Sequence, residues 1–356
     1  MSDCKTVRLG EILQIQPKSK IKAGDGSKVG IFPFYTCSNE LTKKIDTADY
    51  EGPALVFGTG GNASVHYVNG KFSTSTDCLV YKTNSNTNLS LINKYLRANI
   101  YLLENGFKGA GLKHISRDYI SNIEIKLPDS TIQEKVVSQL DLLESNITKH
   151  KTILEKLDLL IKSRFIEMFG DPSKNNKKWE IKKLGDIIRV LGGYAFSSKA
   201  FKDSGIPVLR IGNINSGVFR PTNMVFWDDD EKIERYAIYP GDLVMSLTGT
   251  VGKDDYGNVC ILGNDYAKYY LNQRNAKLEI ISDLERFYLS YLLKFPEIKS
   301  RLTNISRGIR QANIANKDIE NLQIPVPPIE LQNDFTVFVQ QIDKSKFENI
   351  IEGVAA

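Results

Sequence analysis

The segment Ser306–Gln332, SRGIRQANIANKDIENLQIPVPPIELQ, decides the architecture because the chain contains an earlier version of it. Residues Gly106–Gln133 read GFKGAGLKHISRDYISNIEIKLPDSTIQ. Moving the earlier version forward by 199 positions (133 to 332) aligns Gly109 with Gly308, Ile115 with Ile314, Ile120 with Ile319, Asn122 with Asn321, Ile125 with Ile324, Pro128 with Pro327 and Gln133 with Gln332. Both copies combine a glycine-bearing basic loop, a short strand and a proline stop, which indicates an internal duplication.

The beginnings of the two copies match as well. VRLGEIL at Val7–Leu13 returns as KKLGDII at Lys182–Ile188, an offset of 175 positions (7 to 182). Each copy therefore opens with a short LG[ED]I helix, continues through a β-rich middle and closes on the shared strand. The middles diverge while the ends agree, which favours two modules with one scaffold and different recognition surfaces. Divergence without any change of task remains the alternative at this point.

A long helix follows the first copy. From Thr131 to Met168 there is no glycine or proline, and apolar residues recur every four and three positions, which is typical of a coiled-coil seam. The second copy begins the same seam with Phe335, Val339 and Ile342. Lys346 and Asn349 then take the places of Ile147 and His150, so the second helix is predicted to be short.

These patterns predict an α+β fold with two β-rich domains, each followed by a long helix. The expected boundaries are 1–130 for the first domain, 131–171 for its helix, 172–328 for the second domain and 329–356 for the short second helix.

Composition excludes some classes of protein. The chain has 356 residues, too many for one compact domain, and a net charge of +5, a mild bias toward polyanionic partners. It contains no apolar stretch of membrane-spanning length, so no membrane association is expected. The four cysteines are scattered and no histidines lie near them, which predicts a reduced, cytoplasmic protein without a metal site.

Some segments resemble catalytic signatures without completing them. LTGTVGKD, Leu247–Asp254, lacks the first glycine and the final hydroxyl residue of a phosphate-binding loop. FGTGGN, Phe57–Asn62, lacks the spacing of a dinucleotide-binding turn and the helix after it. The three histidines, His66, His114 and His150, are far apart and have no neighbouring nucleophile motif. The sequence therefore predicts a protein that is not an enzyme.

The repeated loops carry side chains suited to nucleic acid. The first loop has Lys108, Lys113 and His114, and the second has Arg307, Arg310, Gln311 and Asn313. Arginine, lysine, glutamine and asparagine make paired hydrogen bonds to purine edges, and neighbouring glycines let the backbone approach phosphates. On composition alone, a pair of solvated basic loops explains these residues equally well.

The segments VLRIGNI, DLVMSLTGTVGK, RGIRQANIANKDIENLQIPVPPIELQ and SRFIEMFGDP resemble the specificity (S) subunit of type I DNA restriction–modification systems. The resemblance extends from Val7 to about Phe347 and includes the order domain–helix–domain–helix. It implies that each copy is a target recognition domain reading one half of a split DNA site. It also implies that the two helices form an antiparallel coiled coil, with a truncated second helix, that separates the domains.

What the resemblance implies about activity is a recognition subunit that performs no bond chemistry. The expected partners are double-stranded DNA, two methyltransferase subunits using S-adenosylmethionine, and restriction subunits using ATP and Mg²⁺. Those cofactors belong to the partners, and this chain is expected to bind none. Two alternatives remain: a truncated or silent specificity variant acting only as an interaction scaffold, and a nuclease or methyltransferase in its own right.

The residues expected to contact DNA are polar or basic and lie in the two domains. They are Lys43, Lys44, Thr59, Asn62, Lys108, Lys113, His114, Arg210, Asn213, Thr248, Thr250, Lys253, Arg307, Arg310, Gln311 and Asn313.

A partner surface is predicted on the first helix. By the repeat offset, the counterpart of Met168 lies beyond residue 356, so the second half of the first helix is expected to face no helix of its own chain. The apolar residues Leu154, Leu157, Ile161 and Met168 should then contact another protein or a second copy of this chain. Self-association through the helices is the expected consequence.

Overall fold

The computed structural model describes residues 4–214, 216–304 and 311–355. These residues divide into two compact units, the first ending at Ile147 and the second beginning at Thr148. Helix α5, Ser130–Phe169, begins in the first unit and ends in the second.

The first unit contains short helices and mostly antiparallel strands. Its strands are β1 (Lys5–Arg8), β2 (Leu13–Ile15), β3 (Phe32–Tyr35), β4 (Lys43–Ile45), β5 (Tyr50–Glu51), β6 (Ala54–Gly58), β7 (Ser64–Val68), β8 (Lys71–Thr74), β9 (Cys78–Thr83) and β10 (Glu124–Leu127). Its helices, besides the start of α5, are α1 (Leu9–Ile12), α2 (Leu89–Ala98), α3 (Tyr101–Glu104) and α4 (Arg117–Ser121).

The second unit is also built from short helices and mostly antiparallel strands. Its strands are β11 (Glu180–Lys183), β12 (Ile188–Gly192), β13 (Ile206–Leu209), β14 (Val225–Trp227), β15 (Ala237–Ile238), β16 (Leu243–Ser246), β17 (Thr248–Thr250), β18 (Val259–Ile261), β19 (Tyr269–Leu271), β20 (Asn275–Ile280), β21 (Gln311–Asn313) and β22 (Gln323–Val326). Its helices after α5 are α6 (Arg286–Lys294), α7 (Pro296–Thr303), α8 (Asn316–Glu320) and α9 (Ile329–Ala355).

The sheets of the two units share one topology. The order β2-β9-β6-β7 in the first unit corresponds to β12-β20-β16-β18 in the second, and β4-β3-β8-β5 corresponds to β14-β13-β19-β15. In both units the second of these sheets contains a parallel pair, β3 with β8 and β13 with β19. The predicted duplication and the α+β fold are therefore confirmed.

The repeated LG[ED]I motif needs its glycine for close packing. A Cβ atom on Gly10 would lie 2.9 Å from Cβ of Ser121, and one on Gly185 would lie 2.9 Å from Cβ of Glu320. The leucine before each glycine is fully buried. Its amide donates to the backbone oxygen of the residue just before β10 or β22: Leu9 N to Ile123 O at 2.9 Å and Leu184 N to Leu322 O at 2.8 Å. The motif therefore joins the first element of each copy to its last.

The repeated glutamine joins each long helix to its own domain. Gln133 accepts a hydrogen bond from Asn88 N at 2.9 Å and donates to Pro128 O at 2.8 Å. Gln332 accepts from Glu285 N at 2.8 Å and donates to Pro327 O at 2.7 Å. Because both amides are buried, losing either side chain would leave polar groups unsatisfied, which explains why both copies carry glutamine here.

In the second unit, α9 packs antiparallel to the second half of α5. Phe335 near the start of α9 contacts Phe165 at a ring-centroid distance of 5.4 Å, close to the end of α5. Further along α9, Lys346 pairs with Asp158 at 2.7 Å. His150 Nδ1 lies 2.6 Å from Asn349 Oδ1, so repeat-equivalent positions meet.

This pairing covers the stretch of α5 that was expected to face no helix of its own chain. Ile161 is fully buried in the core of the second unit, Met168 packs against that core, and Leu154 and Leu157 are half-buried. The prediction was wrong because it aligned the helices by repeat offset, as if they ran in parallel. Antiparallel helices place the beginning of α9 beside the end of α5, so a short second helix still covers this stretch.

Candidate nucleic-acid interface

In the second unit, a two-stranded sheet brings two of the predicted DNA-contact segments together. The buried strand β16 continues into β17, which pairs antiparallel with β21 at the end of the basic loop. Thr248 lies opposite Asn313, and Thr250 lies opposite Gln311. Thr250 and Asn313 are exposed and Thr248 is half-buried. Residues far apart in sequence therefore form one polar surface.

The other face of this small sheet is closed against the domain. Ala312 is fully buried, and a Cβ on Gly249 would lie 2.3 Å from Asp255 Oδ1. Glycine is required at this position because the turn residues Asp255 and Tyr256 occupy the space a side chain would need. Because side chains alternate between the two faces of a strand, Thr248 and Thr250 lie on the face opposite Gly249.

Side chains that the sequence reasoning did not select hold the loop after β17. The Thr250 amide and hydroxyl donate to Asp255 at 2.8 and 2.9 Å, and these hydrogen bonds lower the pKa of that carboxyl. The buried Lys299 ammonium donates to Asn258 Oδ1 at 2.7 Å and to Asp254. With both ends of the loop fixed, the exposed Lys253 is carried on a preorganised turn.

The first unit builds the same arrangement with a shorter loop. Buried β6 leads to Thr59, whose carbonyl accepts from Ile115 N at 3.1 Å, while Gly61 N donates to Lys113 O at 3.2 Å. His114 forms isolated antiparallel β-bridges with both Gly60 and Lys108. The Thr59 hydroxyl donates to Asp77 O at 2.8 Å, so this side chain is already engaged within the domain.

The exposed residues of this first surface are Asn62, Lys108, Lys113 and His114. His114 is the repeat equivalent of Asn313, and each lies opposite the loop that follows the central buried strand. The two units therefore present different side chains at one structural position. That difference is what two modules reading different DNA sequences require.

The remaining predicted contacts lie elsewhere. Lys44 is exposed on β4, whereas the ammonium of Lys43 donates to Ala23 O at 2.6 Å. Asn213 is only 3% exposed and donates to Arg220 O and Thr222 O, both at 3.0 Å. Asn213 is therefore a structural residue of its loop, which argues against its predicted role as a DNA contact.

Three predicted contacts cannot be placed in full. Arg307 and Arg310 lie outside the described residues, and of Gln311 only the backbone is described, within β21.

A polar cavity of about 550 Å³ beside Arg210 contains candidates that the sequence reasoning missed. Its lining includes Asn272, Gln273 and Arg274, which follow the buried strand β19 directly. Arg210 donates to Asn223 O at 2.5 Å, while its Nε has no hydrogen-bond partner among the described residues. The sequence signal for these residues is the polar run NQRN at 272–275, which directly follows the aromatic strand β19.

Neither a metal site nor a membrane span is found in the described ranges. Across residues 4–214, 216–304 and 311–355, no group of three or more His, Cys, Asp or Glu side chains could hold a metal ion. Over the same part of the chain, no helix is both long enough and apolar enough to span a bilayer.

A family model for the type I restriction modification DNA specificity domain matches residues 1–159 and 176–353. The chain therefore belongs to this family, as the sequence resemblance predicted, and membership supports DNA sequence recognition.

Among curated relatives, the chain is similar to the type I restriction enzyme MjaVIII specificity subunit of Methanocaldococcus jannaschii, at 24% identity over 98% of this chain and 87% of the relative. It is also similar to the EcoDI specificity subunit of Escherichia coli, at 26% identity over 50% of this chain but only 40% of the relative.

Solved structures share the fold. An S subunit of a type I restriction–modification system from M. genitalium superimposes with a TM-score of 0.69 at 13% identity, over 99% of this chain and 93% of that one. A second, from a study of complex assembly and conformational transition of the type I R-M system, has a TM-score of 0.53 at 17% identity, over 99% and 94%.

Proposed function

We propose that this chain is the specificity subunit of a type I restriction–modification complex, in which the two units bind the two halves of a split double-stranded DNA site. The observation that carries the proposal is the repeated loop pairing. In each unit a polar or basic surface forms at one structural position, with Lys113 and His114 in the first and Thr250 and Asn313 in the second. One scaffold with two different surfaces suits two unlike half-sites.

The chain performs no bond chemistry in this proposal. It binds two methyltransferase subunits, which use S-adenosylmethionine on adenine, and restriction subunits, which use ATP and Mg²⁺. Methyltransferases extrude their target base from the duplex, so a separate subunit that contacts the grooves and backbone leaves that base accessible to them. The scaffold-only alternative gains no support from this structure, because both units keep a polar surface at the repeated position.

The experiment combines the chain with candidate methyltransferase subunits and S-adenosylmethionine, followed by sequencing of methylated adenines in genomic DNA. The expected result is methylation at one bipartite motif, and only when this chain is present. Methylation by the chain alone would overturn the non-catalytic assignment. Methylation that is unchanged when the chain is omitted would overturn the recognition role.

Single substitutions assign the half-sites. Asn313→Ala should lower discrimination at one position of one half-site by about 1–3 kcal/mol, and His114→Ala should do so in the other half-site. Asn333→Ala, an exposed amide on α9, is the matched control and should change neither. Equal weakening on every DNA sequence would mean that Asn313 contacts only the DNA backbone.

A further inference from the structure

Two cysteines of the first unit, Cys37 and Cys78, belong to one apolar cluster of the sheet core, beside the candidate DNA surface. Cys78 is 1% exposed, and the half-buried Cys37 packs against the same cluster. The two residues are 41 positions apart (37 to 78), and nothing in their local sequence pairs them.

A glycine allows this approach. Gly58 is the register partner of Cys78 in the β6–β9 pair, and a Cβ on Gly58 would lie 2.8 Å from Cα of Cys37. The Cys37 segment thus runs directly over the strand pair. The Cys37 thiol donates to the backbone oxygen of Asp77, the residue before Cys78, at 3.0 Å.

The two thiols are chemically unequal. A hydrogen bond from the Cys78 thiol lowers the pKa of Cys37, with further donation from the amides of Gly60 and Thr59, while burial and the Asp77 carboxylate act in the opposite direction. The pKa of Cys78 is raised by that same hydrogen bond and by burial. Cys37 is thus the better nucleophile, since the thiolate is the reactive form. Cys78 lies in the same cluster, across the strand pair at Gly58.

We propose that Cys37 and Cys78 form an oxidisable thiol pair, which a small disulfide converts into an intradomain disulfide that weakens DNA binding by the first unit. The Cys37 thiolate attacks one sulfur of the small disulfide, forming a mixed disulfide and releasing one small thiolate. Cys78 passes its proton to that thiolate as its sulfur attacks the Cys37 sulfur, and the second small thiolate leaves and takes a proton from water. Two protein thiols are oxidised and one small disulfide is reduced.

The link to DNA runs through the Thr59–Asn62 loop. The Gly60 amide donates to Cys37 Sγ at 3.4 Å, and the Thr59 amide and hydroxyl donate to Asp77 O at 2.9 and 2.8 Å. A disulfide between the two sulfurs would move Cys37 Sγ and Asp77 O, the atoms that accept these hydrogen bonds from the loop. This part rests on the proposed DNA-binding function, whereas the oxidation itself does not.

The oxidation is tested on the full chain in a Cys4→Ser background, which removes the exposed thiol. After treatment with glutathione disulfide, intact mass should show the loss of two hydrogen atoms and no glutathione adduct. Adding Cys78→Ser should trap one glutathione on Cys37, and adding Cys37→Ser should leave the chain unmodified.

A chain that stays fully reduced, or a Cys37→Ser variant that is modified as fast as its parent, would overturn the thiol pair. Peptide mapping of maleimide labelling in the unsubstituted chain provides a second measurement that does not depend on variant folding. Cys37 should react well before the buried Cys260, and equal rates would also contradict the proposal.

The switch is tested by fluorescence anisotropy on the duplex defined by the methylation map. Oxidation should raise Kd by about tenfold, the loss expected for one group of base contacts, and a dithiol reductant should reverse it. The Cys37→Ser chain should show no change. A disulfide that forms without changing Kd overturns the switch. A reduced chain that binds no duplex overturns the proposed function, whereas the mass result decides the thiol chemistry independently.

Discussion

Truncating Ile161 to alanine tests whether the second half of α5 belongs to the core of its own chain or to a partner surface. Ile161 is 0% exposed and lies in one cluster with Phe165, Phe169 and Phe335. Removing a fully buried isoleucine side chain costs about 2–5 kcal/mol, from lost burial and from the cavity left behind. Alanine's higher helix propensity recovers only a few tenths of a kcal/mol.

Leu159 is the matched control on the same helix. It is 62% exposed, so Leu159→Ala should change the free energy of unfolding by no more than about 0.5 kcal/mol. The assay is urea unfolding followed by tryptophan fluorescence. The chain has 2 tryptophans, Trp179 and Trp227, and both lie in the second unit, so the signal reports that unit alone.

The expected result is a lower urea midpoint for Ile161→Ala at an unchanged slope, with Leu159→Ala close to the parent chain. Equal midpoints for both variants would refute the reasoning. So would an Ile161→Ala chain that is destabilised only at concentrations where the parent self-associates, because that would place the buried contact between copies.

Three further perturbations test the loop after β17, the small sheet beside it and the turn after α5. Lys299→Met should loosen the loop after β17 and relax recognition of one half-site in the methylation map, whereas exposed Lys317→Met should leave the map unchanged. Gly249→Ala should raise Kd for the mapped duplex, measured by anisotropy, because its Cβ would lie 2.3 Å from Asp255 Oδ1. An unchanged Kd would show that the β17–β21 sheet is not part of the DNA interface. Donation from Ser173 lowers the pKa of Asp171 to about 2 from the usual 3.8, so its stabilising effect is complete above pH 3.8 and disappears as the pH falls toward 2. Asp171→Asn should therefore reduce the urea midpoint near neutral pH and match the parent near pH 2; a constant difference across that range would contradict the assignment.

Local sequence determined the scaffold because its constraints recur in both copies. Gly10 and Gly185 each lie where a Cβ would collide with the last short helix, and Gln133 and Gln332 each satisfy buried backbone groups. A steric or hydrogen-bonding requirement of that kind excludes other residue types at the same position of both copies. It therefore leaves a visible repeat, from which the duplication and the α+β fold could be predicted; the family came from the resemblance of particular segments.

Tertiary structure alone decided which side chains are free to act. Asn213 has the chemistry of a base contact, but the loop folds around its amide and uses it internally. Ile161 lies on an apparently unpartnered seam, yet antiparallel packing buries it. Periodicity records which face of an element is apolar, but not the direction of the element that covers it.

The same limit applies to groups that meet only across the sheet. Lys299 reaches the loop at Asn258, and Cys37 reaches Cys78 over Gly58, through contacts that no spacing in the chain predicts. Sequence patterns report neighbours within a strand or a helical turn. Such contacts depend on how strands are ordered in the sheet, and that order is set by the packing of the whole unit.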